Sequence, residues 1–258
     1  MSLLKTFPKK SGLLPPFLKK ISFNRPTADQ DFPFNIPAFQ KDFTLEFSKP
    51  VTIFTGANAT GKSTLLEFIA HRCGFNLLGG SRDHCYQTLA RDSYPHLKKL
   101  ADCMRLAWLP KVSQGFFLRA ETFFNFLEYI HDPRWQDLEA SYGGNLLTQS
   151  HGEGFLSFFR HRLSRGGLYL MDEPEAALSP MHQMEFLKIL KEIESRSNAQ
   201  VILVTHSPLL MGYPMAELYE FGGCGIKLLA LEQTQHFQVM KSFCQAPQAF
   251  IRRLLEKE

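Results

Sequence analysis

The chain has 258 residues and a formal net charge of +4, with 44% hydrophobic and 21% charged residues. This length suits one large domain, and the apolar fraction excludes a chain that is disordered throughout. No stretch approaches the roughly 20 apolar residues that span a bilayer, and the first residues lack the continuous apolar run of a secretory signal, so we expect no membrane segment.

The basic charge is concentrated at the start of the chain. Residues 1–25 contain no acid and six basic residues, namely Lys5, Lys9, Lys10, Lys19, Lys20 and Arg25. The rest of the chain is therefore slightly acidic, and its net charge gives no reason to expect nucleic-acid binding there. We predict that residues 1–30 form a basic, proline-rich arm, which either contacts a nucleic-acid backbone or an acidic partner or is a solvated leader.

The first predicted strands and helix surround a glycine-rich loop. Alternating polar and apolar residues at 41–47 predict a half-buried strand, and the β-branched run 51–55 predicts a fully buried one. Glycines bound the loop 56–61, and residues 62–72 have helical spacing. A strand, a loop and a helix in this order form the repeating unit of a parallel sheet.

The remaining elements continue the alternation of strands and helices. We predict strands at 105–109, 115–118, 167–171 and 201–205, and helices at 122–130, 154–163 and 180–195. Residues 31–258 are therefore expected to form a single domain of the α/β class with a mostly parallel sheet. The phenylalanine-rich helix at 122–130 begins an insertion that predicts a small helical sub-lobe at about residues 120–150.

The strongest motif is G-x4-G-K-S followed by threonine, between a predicted strand and helix. Its glycines let the backbone wrap a phosphate, and the helix directs its positive end to the same point. Lys62 would reach the β- and γ-phosphates, and the Ser63 hydroxyl would bind Mg²⁺. The predicted nucleotide-binding residues are Gly56, Ala57, Asn58, Ala59, Thr60, Gly61, Lys62, Ser63 and Thr64.

A second motif follows the predicted strand at 167–171. Asp172 and Glu173 come directly before a proline, at the end of a parallel strand where open α/β sheets bind their ligands. Asp172 can hold Mg²⁺ through water, and Glu173 can take a proton from the attacking water. By itself such an acidic pair is more often a helix cap or a turn, but beside a phosphate loop the catalytic interpretation is favoured.

Two further segments narrow the interpretation. Ser150 and Glu153 precede an amphipathic helix with the S-x-x-E spacing of a capping box. His206 follows the predicted strand at 201–205, where a polar residue usually only ends the strand. Their significance comes from their order and spacing relative to the two motifs above.

In this order the motifs resemble those of the ABC-type ATPases. The sequence looks closest to the small stand-alone bacterial branch near the RecF, SMC and OLD-like enzymes. The resemblance implies a mostly parallel P-loop sheet of the ABC ATPase type, with a small helical sub-lobe and an antiparallel N-terminal β portion. It also implies Mg-dependent ATP hydrolysis, with Lys62, Glu173 and His206 as catalytic residues and Ser63 and Asp172 as metal ligands.

The resemblance further implies a site shared by two subunits. Ser150, Gly152 and Glu153 match the signature Ser-Gly-Gly-Gln, which in the family contacts the γ-phosphate of ATP bound to the opposite subunit, and His151 replaces the first glycine. His206 matches the histidine that senses that phosphate. We therefore expect an ATP-dependent homodimer that signals to an unidentified protein partner, with a role in genome maintenance or phage defence.

The sequence departs from the family pattern in two places. Ser179 stands where the dimer-contact loop normally ends in aspartate. Residues 119–121 (Arg-Ala-Glu) stand where a glutamine loop should follow a strand, and Gln114 lies just before that strand. The aromatic side chain that stacks on adenine is equally open, since Phe32, Phe34 and Phe39 all precede the loop at a suitable distance and each also suits the core.

Two other functions remain as alternatives. A transporter's ATP-binding subunit would use the same motifs and would travel with a membrane subunit. A small-molecule kinase also uses a phosphate loop, but it would not need the Ser150 segment or His206. Five scattered cysteines without CxxC spacing (Cys73, Cys85, Cys103, Cys224 and Cys244) disfavour a disulfide scaffold and a zinc site, so we predict a cytoplasmic location.

Overall fold

The computed structural model describes residues 14–27, 29–84, 94–132 and 148–256, together with residues 134, 142, 144 and 146. Two β-sheets organise this part of the chain. The larger sheet has six strands and the smaller has three. The nine strands are β1 (Leu18–Phe23), β2 (Phe43–Glu46), β3 (Val51–Gly56), β4 (Met104–Trp108), β5 (Gly115–Arg119), β6 (Gly167–Asp172), β7 (Ala199–Val204), β8 (Ala216–Gly222) and β9 (Gly225–Leu228).

The larger sheet has the order β5-β6-β7-β3-β8-β9. Its first five strands are parallel, and β9 pairs antiparallel with β8 at one edge of the sheet. The predicted mostly parallel sheet is confirmed. Because parallel strands end on the same side, the residues that follow β3, β5, β6 and β7 meet at one edge, where this class of sheet binds its ligands.

The smaller sheet is antiparallel, with the order β2-β1-β4. It confirms the expected antiparallel N-terminal β portion. Its central strand β1 lies inside the range that we predicted as a basic arm, and Leu18, Ile21 and Phe23 are fully buried. Residues 18–23 therefore belong to the folded body. The predicted arm also includes residues 1–13 and 28, which lie outside the described residues.

A buried glutamine joins the two sheets. Gln200 of β7 accepts hydrogen bonds from the backbone N–H groups of Phe17 and Leu18 at 2.8 Å and donates one to the Leu18 carbonyl at 3.1 Å. The amide is fully buried, and these three bonds satisfy its polar atoms, which would otherwise carry a desolvation cost. The start of β1 is thus fixed to the parallel sheet.

Helices cover both faces of the larger sheet. Alternate residues of the central strands belong to two separate hydrophobic clusters. One cluster is shared with the smaller sheet and the helix at 62–73, and the other is shared with the helices at 123–130, 151–163 and 180–196. The helices predicted at 62–72, 122–130, 154–163 and 180–195 are confirmed. The described helices are α1 (Lys62–Cys73), α2 (Pro95–Cys103), α3 (Phe123–Ile130), α4 (His151–Leu163), α5 (Pro180–Arg196), α6 (Pro208–Met211), α7 (Gln235–Gln245) and α8 (Pro247–Leu255).

The predicted sub-lobe at residues 120–150 is described only in part. It contains α3, whose apolar side packs into the cluster with α4 through Phe123 and Phe126. Residues 133, 135–141, 143, 145 and 147 lie outside the described residues. Among the described helices, none combines the length and the hydropathy that a bilayer span requires.

Candidate nucleotide-binding site

The glycine loop between β3 and α1 has the backbone shape that its glycines allow. Gly56 and Gly61 have φ angles of 131° and 104°, in the region that favours glycine. A Cβ on Gly56 would lie 2.1 Å from the Phe221 carbonyl oxygen, so no larger residue fits there. The first turn of α1 has no side-chain cap, and its N–H groups are therefore available to a phosphate.

Lys62 is held against this loop. Its Nζ donates hydrogen bonds to the carbonyl oxygens of Gly56 at 2.9 Å and Ala57 at 2.7 Å. The side chain is buried, and burial lowers its pKa, while the nearby carboxylates of Glu173 and Asp172 raise it. An anion bound in the loop would stabilise the buried ammonium further.

Two predicted metal ligands lie in direct contact. The Ser63 hydroxyl at the start of α1 donates to Asp172 Oδ1 at the end of β6, over 3.0 Å. Burial raises the pKa of Asp172 to about 6, although the Ser63 hydrogen bond and the Arg119 guanidinium act in the opposite direction. A divalent cation at this point would offset the cost of keeping the carboxylate charged.

Glu173 projects from a strained turn at the same edge. Its φ angle of 50° is in the left-handed region, which is uncommon for a residue other than glycine. Such strain is typical of functional sites, where the surrounding structure holds the residue in place. Its side chain is 48% exposed, and Oε1 lies 3.6 Å from Nε2 of His206.

His206 is fixed from two directions. Its backbone N–H donates to Oε1 of the half-buried Glu175 at 2.6 Å, and its Nδ1 lies 3.0 Å from Nε2 of His236, at the start of α7. Burial and the charge of Lys62 lower the pKa of His206, so the ring is neutral at pH 7. Glu175 was not predicted as a site residue, although it follows the acidic motif directly. His236 was not predicted either, and no local pattern marks it.

An arginine ends β5 at the edge of the sheet that carries the glycine loop. Arg119 ends β5 in register with Asp172, and its Nη1 forms an ion pair with Glu67 Oε1 on α1 at 2.6 Å. Gln114 lies at the other end of β5, in a separate cavity that includes Arg162. Gln114 is therefore at the opposite end of β5 from the glycine loop, and Arg119 begins the segment at which the resemblance implies a glutamine loop.

A cavity of about 520 Å³ opens over the loop. Of the three candidate aromatic residues, Phe34 and Phe39 are buried in the core, whereas Phe32 is 49% exposed and lines this cavity. Phe32 is thus the aromatic ring available to an adenine. The cavity is lined by Phe32, Asn35, Ile36, Pro37, Asn58, Ala59, Thr60, Gly61, Lys62, Ser63, Thr64, Glu173 and His206.

The Ser150 segment is absent from that lining. Ser150 caps α4, and its N–H and hydroxyl donate to Glu153 Oε2 at 3.2 and 2.6 Å, so the predicted capping box is confirmed. Both residues are exposed. A Cβ on Gly152 would lie 2.1 Å from Nδ1 of His182, which explains the glycine at this position. Ser179, the other departure from the family pattern, caps α5 by accepting from the His182 N–H.

Two family models match parts of the chain. One, described as an AAA domain, matches residues 34–105, and one described as an AAA ATPase domain matches residues 154–211. The molybdenum import ATP-binding protein ModC of Hahella chejuensis (strain KCTC 2396) is 30% identical over 189 residues, which are 65% of this chain and 50% of that protein. The chain spans about half the length of this curated relative.

The solved structures to which this chain is similar are more distant in sequence. The SMC head domain from Thermotoga maritima is 14% identical with a TM-score of 0.46, covering 83% of this chain and 98% of that one. The cbiO1 protein of Clostridium perfringens, part of the ABC transporter complex cbiONQ, is 15% identical with a TM-score of 0.47, covering 93% and 99%. Neither similarity carries an argument about activity.

The site combines residues from both of the segments that the family models match. A phosphate loop, a buried aspartate bonded to the loop serine, an adjacent glutamate and a strand-end histidine meet at one edge of a parallel sheet. The first family match contains the loop, and the second contains the acidic motif and the histidine. The chain is therefore similar to AAA-type ATPase domains over both of the segments that carry these motifs.

Proposed function

We propose that the chain binds ATP with Mg²⁺ and hydrolyses it at a site completed by a second copy. The observation that carries the proposal is the convergence of Lys62, Ser63, Asp172, Glu173 and His206 beside one cavity of about 520 Å³. Phosphoryl transfer needs little covalent chemistry from the protein, so the charges and hydrogen-bond donors around the phosphates supply most of the catalysis.

The metal and the phosphates fit the residues that are present. Ser63 Oγ and Asp172 Oδ1 are 3.0 Å apart, and oxygen atoms of these two types are preferred ligands of Mg²⁺. When bound, the ion would neutralise charge on the phosphate oxygens. The Lys62 ammonium lies against the loop carbonyls of Gly56 and Ala57 and would transfer its hydrogen bonds to the β- and γ-phosphates.

Glu173 and His206 have separate tasks. The half-exposed Glu173 carboxylate, at the rim of the cavity, would accept the proton of the attacking water. His206, with Nε2 3.6 Å from that carboxylate, would donate a hydrogen bond to the γ-phosphate oxygen on which charge develops. The two side chains therefore act on the nucleophile and on the transferred group respectively.

The second copy is proposed because the Ser150 segment does not line the cavity of its own chain. Ser150 and Glu153 are exposed and do not line the cavity, whereas the family resemblance gives this segment a contact with the γ-phosphate. A two-fold dimer would bring the segment of each copy to the nucleotide of the other. ATP would then link the copies, and its hydrolysis would release them to signal to a protein partner.

The Glu173→Gln variant tests both parts of the proposal. Without the base, turnover should fall by about 10²–10⁴-fold while ATP binding persists. Analytical ultracentrifugation with ATP and Mg²⁺ should then show a stable dimer, and without nucleotide a monomer. Glu232→Gln, an exposed acid outside the cavity, is the matched control. Normal turnover in Glu173→Gln, or a variant that binds ATP only as a monomer, would contradict the proposal.

A transporter's ATP-binding subunit is a second candidate, because the curated relative is named as an import ATP-binding protein. Isolating Glu173→Gln from its native cell distinguishes the two. A stoichiometric integral membrane subunit would favour the transporter, and a water-soluble partner would favour the signalling dimer. Phosphate release from ATP without any acceptor molecule would also separate both from a small-molecule kinase.

A further inference from the structure

The contact between His206 and His236 joins the nucleotide site to the C-terminal helices. His206 Nδ1 and His236 Nε2 are 3.0 Å apart, a hydrogen-bond distance. His236 is in the first turn of α7, which is fixed by the buried Thr234. The Thr234 hydroxyl accepts from the Phe237 N–H at 3.3 Å and donates to the Leu231 carbonyl at 2.7 Å. The Thr234 cap therefore fixes the start of α7, where His236 lies.

Only one hydrogen can lie between the two rings, so the contact selects a tautomer. If His206 carried its hydrogen on Nδ1, its Nε2 would be a bare acceptor facing the Glu173 carboxylate at 3.6 Å and unable to donate to a phosphate oxygen. If His236 donates from Nε2, His206 accepts at Nδ1 and carries its own hydrogen on Nε2. The second arrangement gives favourable interactions at both nitrogens of His206.

The environment of His236 agrees with the second arrangement. Its Nδ1 is buried and has no hydrogen-bond partner within the part of the chain that the structure describes. A hydrogen on that atom would be a buried donor without an acceptor, which proteins rarely tolerate, so the hydrogen belongs on Nε2. His236 Nε2 is then the donor to His206.

The charges around the pair keep both rings neutral at pH 7. Burial and the charge of Lys62 lower the pKa of each histidine, while Glu173 acts in the opposite direction on His206 and Glu220 on His236. The half-buried Glu175 also contacts His206, since its carboxylate accepts the backbone N–H of His206. Since neither ring is charged, the variable that matters is which nitrogen carries the hydrogen.

We propose that His236 is a positioning residue that holds His206 in the tautomer with the hydrogen on Nε2, the form that can donate to the γ-phosphate. The proposal rests on the function proposed above for His206. It also gives the C-terminal helices an influence on the site, because none of the described residues of α7 or α8 is buried and α7 can be displaced without opening the core. Any such displacement would break the hydrogen bond between His236 and His206, and the His206 ring could then adopt either tautomer.

The test compares two substitutions of His236. His236→Gln keeps an N–H donor near the position of Nε2, whereas His236→Phe keeps the ring shape and removes the donor. Gln238→Ala is the matched control, because it removes a hydrogen bond between α7 and the Glu232 carbonyl without touching His206. The readouts are ¹⁵N chemical shifts of the His206 ring in the nucleotide-free protein, and kcat and KM for ATP.

His236→Phe should convert His206 from the Nε2–H form to a mixture of tautomers and lower kcat by about 10- to 100-fold with KM little changed. His236→Gln and Gln238→Ala should keep the Nε2–H form and most of the rate. An Nε2–H signal that persists in His236→Phe overturns the proposal, and so does a changed tautomer with an unchanged kcat. If the wild-type protein has no ATPase activity but His236→Phe still changes the tautomer of His206, the positioning role is supported and the proposed function is contradicted.

Discussion

The two helix starts implicated in nucleotide binding differ in how their N–H groups are used. At α1 the cap position is Gly61, in a left-handed conformation without a capping side chain, so the first N–H groups are available to a ligand. At α4 the cap is Ser150, which forms a reciprocal capping box with Glu153. The first helix start is built to receive an anion, and the second already holds a carboxylate of its own chain.

The difference explains why one copy presents only half of the proposed site. Hydrogen bonds with Ser150 lower the pKa of Glu153, so the carboxylate is charged at pH 7. The exposed start of α4 therefore carries a negative group close to the place where a partner's phosphate is proposed to bind. The two helix starts thus differ in charge and in capping: the start of α1 has no capping side chain, whereas the start of α4 carries the Glu153 carboxylate.

The largest expected effect is on ATP affinity, when the Lys62 ammonium at the uncapped start of α1 is removed. Lys62→Ala should weaken ATP binding by about 10²–10³-fold, because the loop loses its only charged contact to the β- and γ-phosphates. Fluorescence titration with a labelled ATP analogue measures this. Lys188→Ala removes the same charge from the exposed face of α5 and should bind normally. Equal affinity of the wild-type protein and Lys62→Ala would mean that the nucleotide binds elsewhere.

The next effect concerns the stability of the nucleotide-free protein. Burial raises the pKa of Asp172 from 3.8 to about 6, so the native state binds this proton more tightly than the unfolded state does. Between about pH 4 and pH 6 this group therefore makes the free energy of unfolding fall as pH rises. Above pH 6 the buried charge of Asp172 lowers the free energy of unfolding by its full amount, about 3 kcal/mol.

Asp172→Asn should remove that cost. In urea denaturation with a chelator present, the variant should be more stable than the wild-type protein at pH 7, and the difference should disappear near pH 4. Addition of Mg²⁺ and ATP should stabilise the wild-type protein more than the variant, which lacks one of the two proposed metal ligands. If the variant were less stable at pH 7, Asp172 would be a structural residue and not one that is kept charged for a cation.

A smaller effect is expected at the adenine end of the cavity. Phe32→Ala should weaken ATP binding by about tenfold, since stacking of a base on an aromatic ring contributes about 1–3 kcal/mol. Phe32→Tyr keeps the ring and should bind normally. Inorganic triphosphate, which has no base, should bind both variants as it binds the wild-type protein. An equal loss of triphosphate affinity would show that Phe32 supports the loop and does not contact adenine.

The elements around the open helix start were predictable because their signals are local. The β-branched run at 51–55 and the following glycines and lysine are contiguous, and the rule that parallel strands end on one side then places Asp172 and His206 beside them. Strand β1 was not predicted because it lacks strict alternation. Its register shifts between Leu18 and Lys20, so the buried Leu18 and Ile21 are three residues apart, which is a spacing typical of helices. The adjacent lysines then favoured the interpretation as an arm.

The contacts that were missed are all between distant parts of the chain. Arg119 pairs with Glu67 across two elements, and His236 reaches His206 from a helix 30 residues further on. Neither side chain belongs to a periodic pattern or a motif, so only the packing of α1 and α7 brings these groups to the site. Local patterns thus predicted which loop and strand ends meet at one edge of the sheet, and they could not predict the side chains that hold Arg119 and His206 there.

The smallest expected effect tests the capped helix start directly. Glu153→Gln removes the negative charge and keeps the capping box, because glutamine serves equally at this position. In the Glu173→Gln background the ATP-dependent dimer should tighten by roughly two- to fivefold at low salt, a size typical of exposed charge pairs, and the gain should vanish at 1 M salt. Sedimentation equilibrium measures both dissociation constants. An unchanged dimer at low salt would place Glu153 farther from the partner's phosphates than the Debye length at that salt, and the Ser150 turn would then have no part in closing the site.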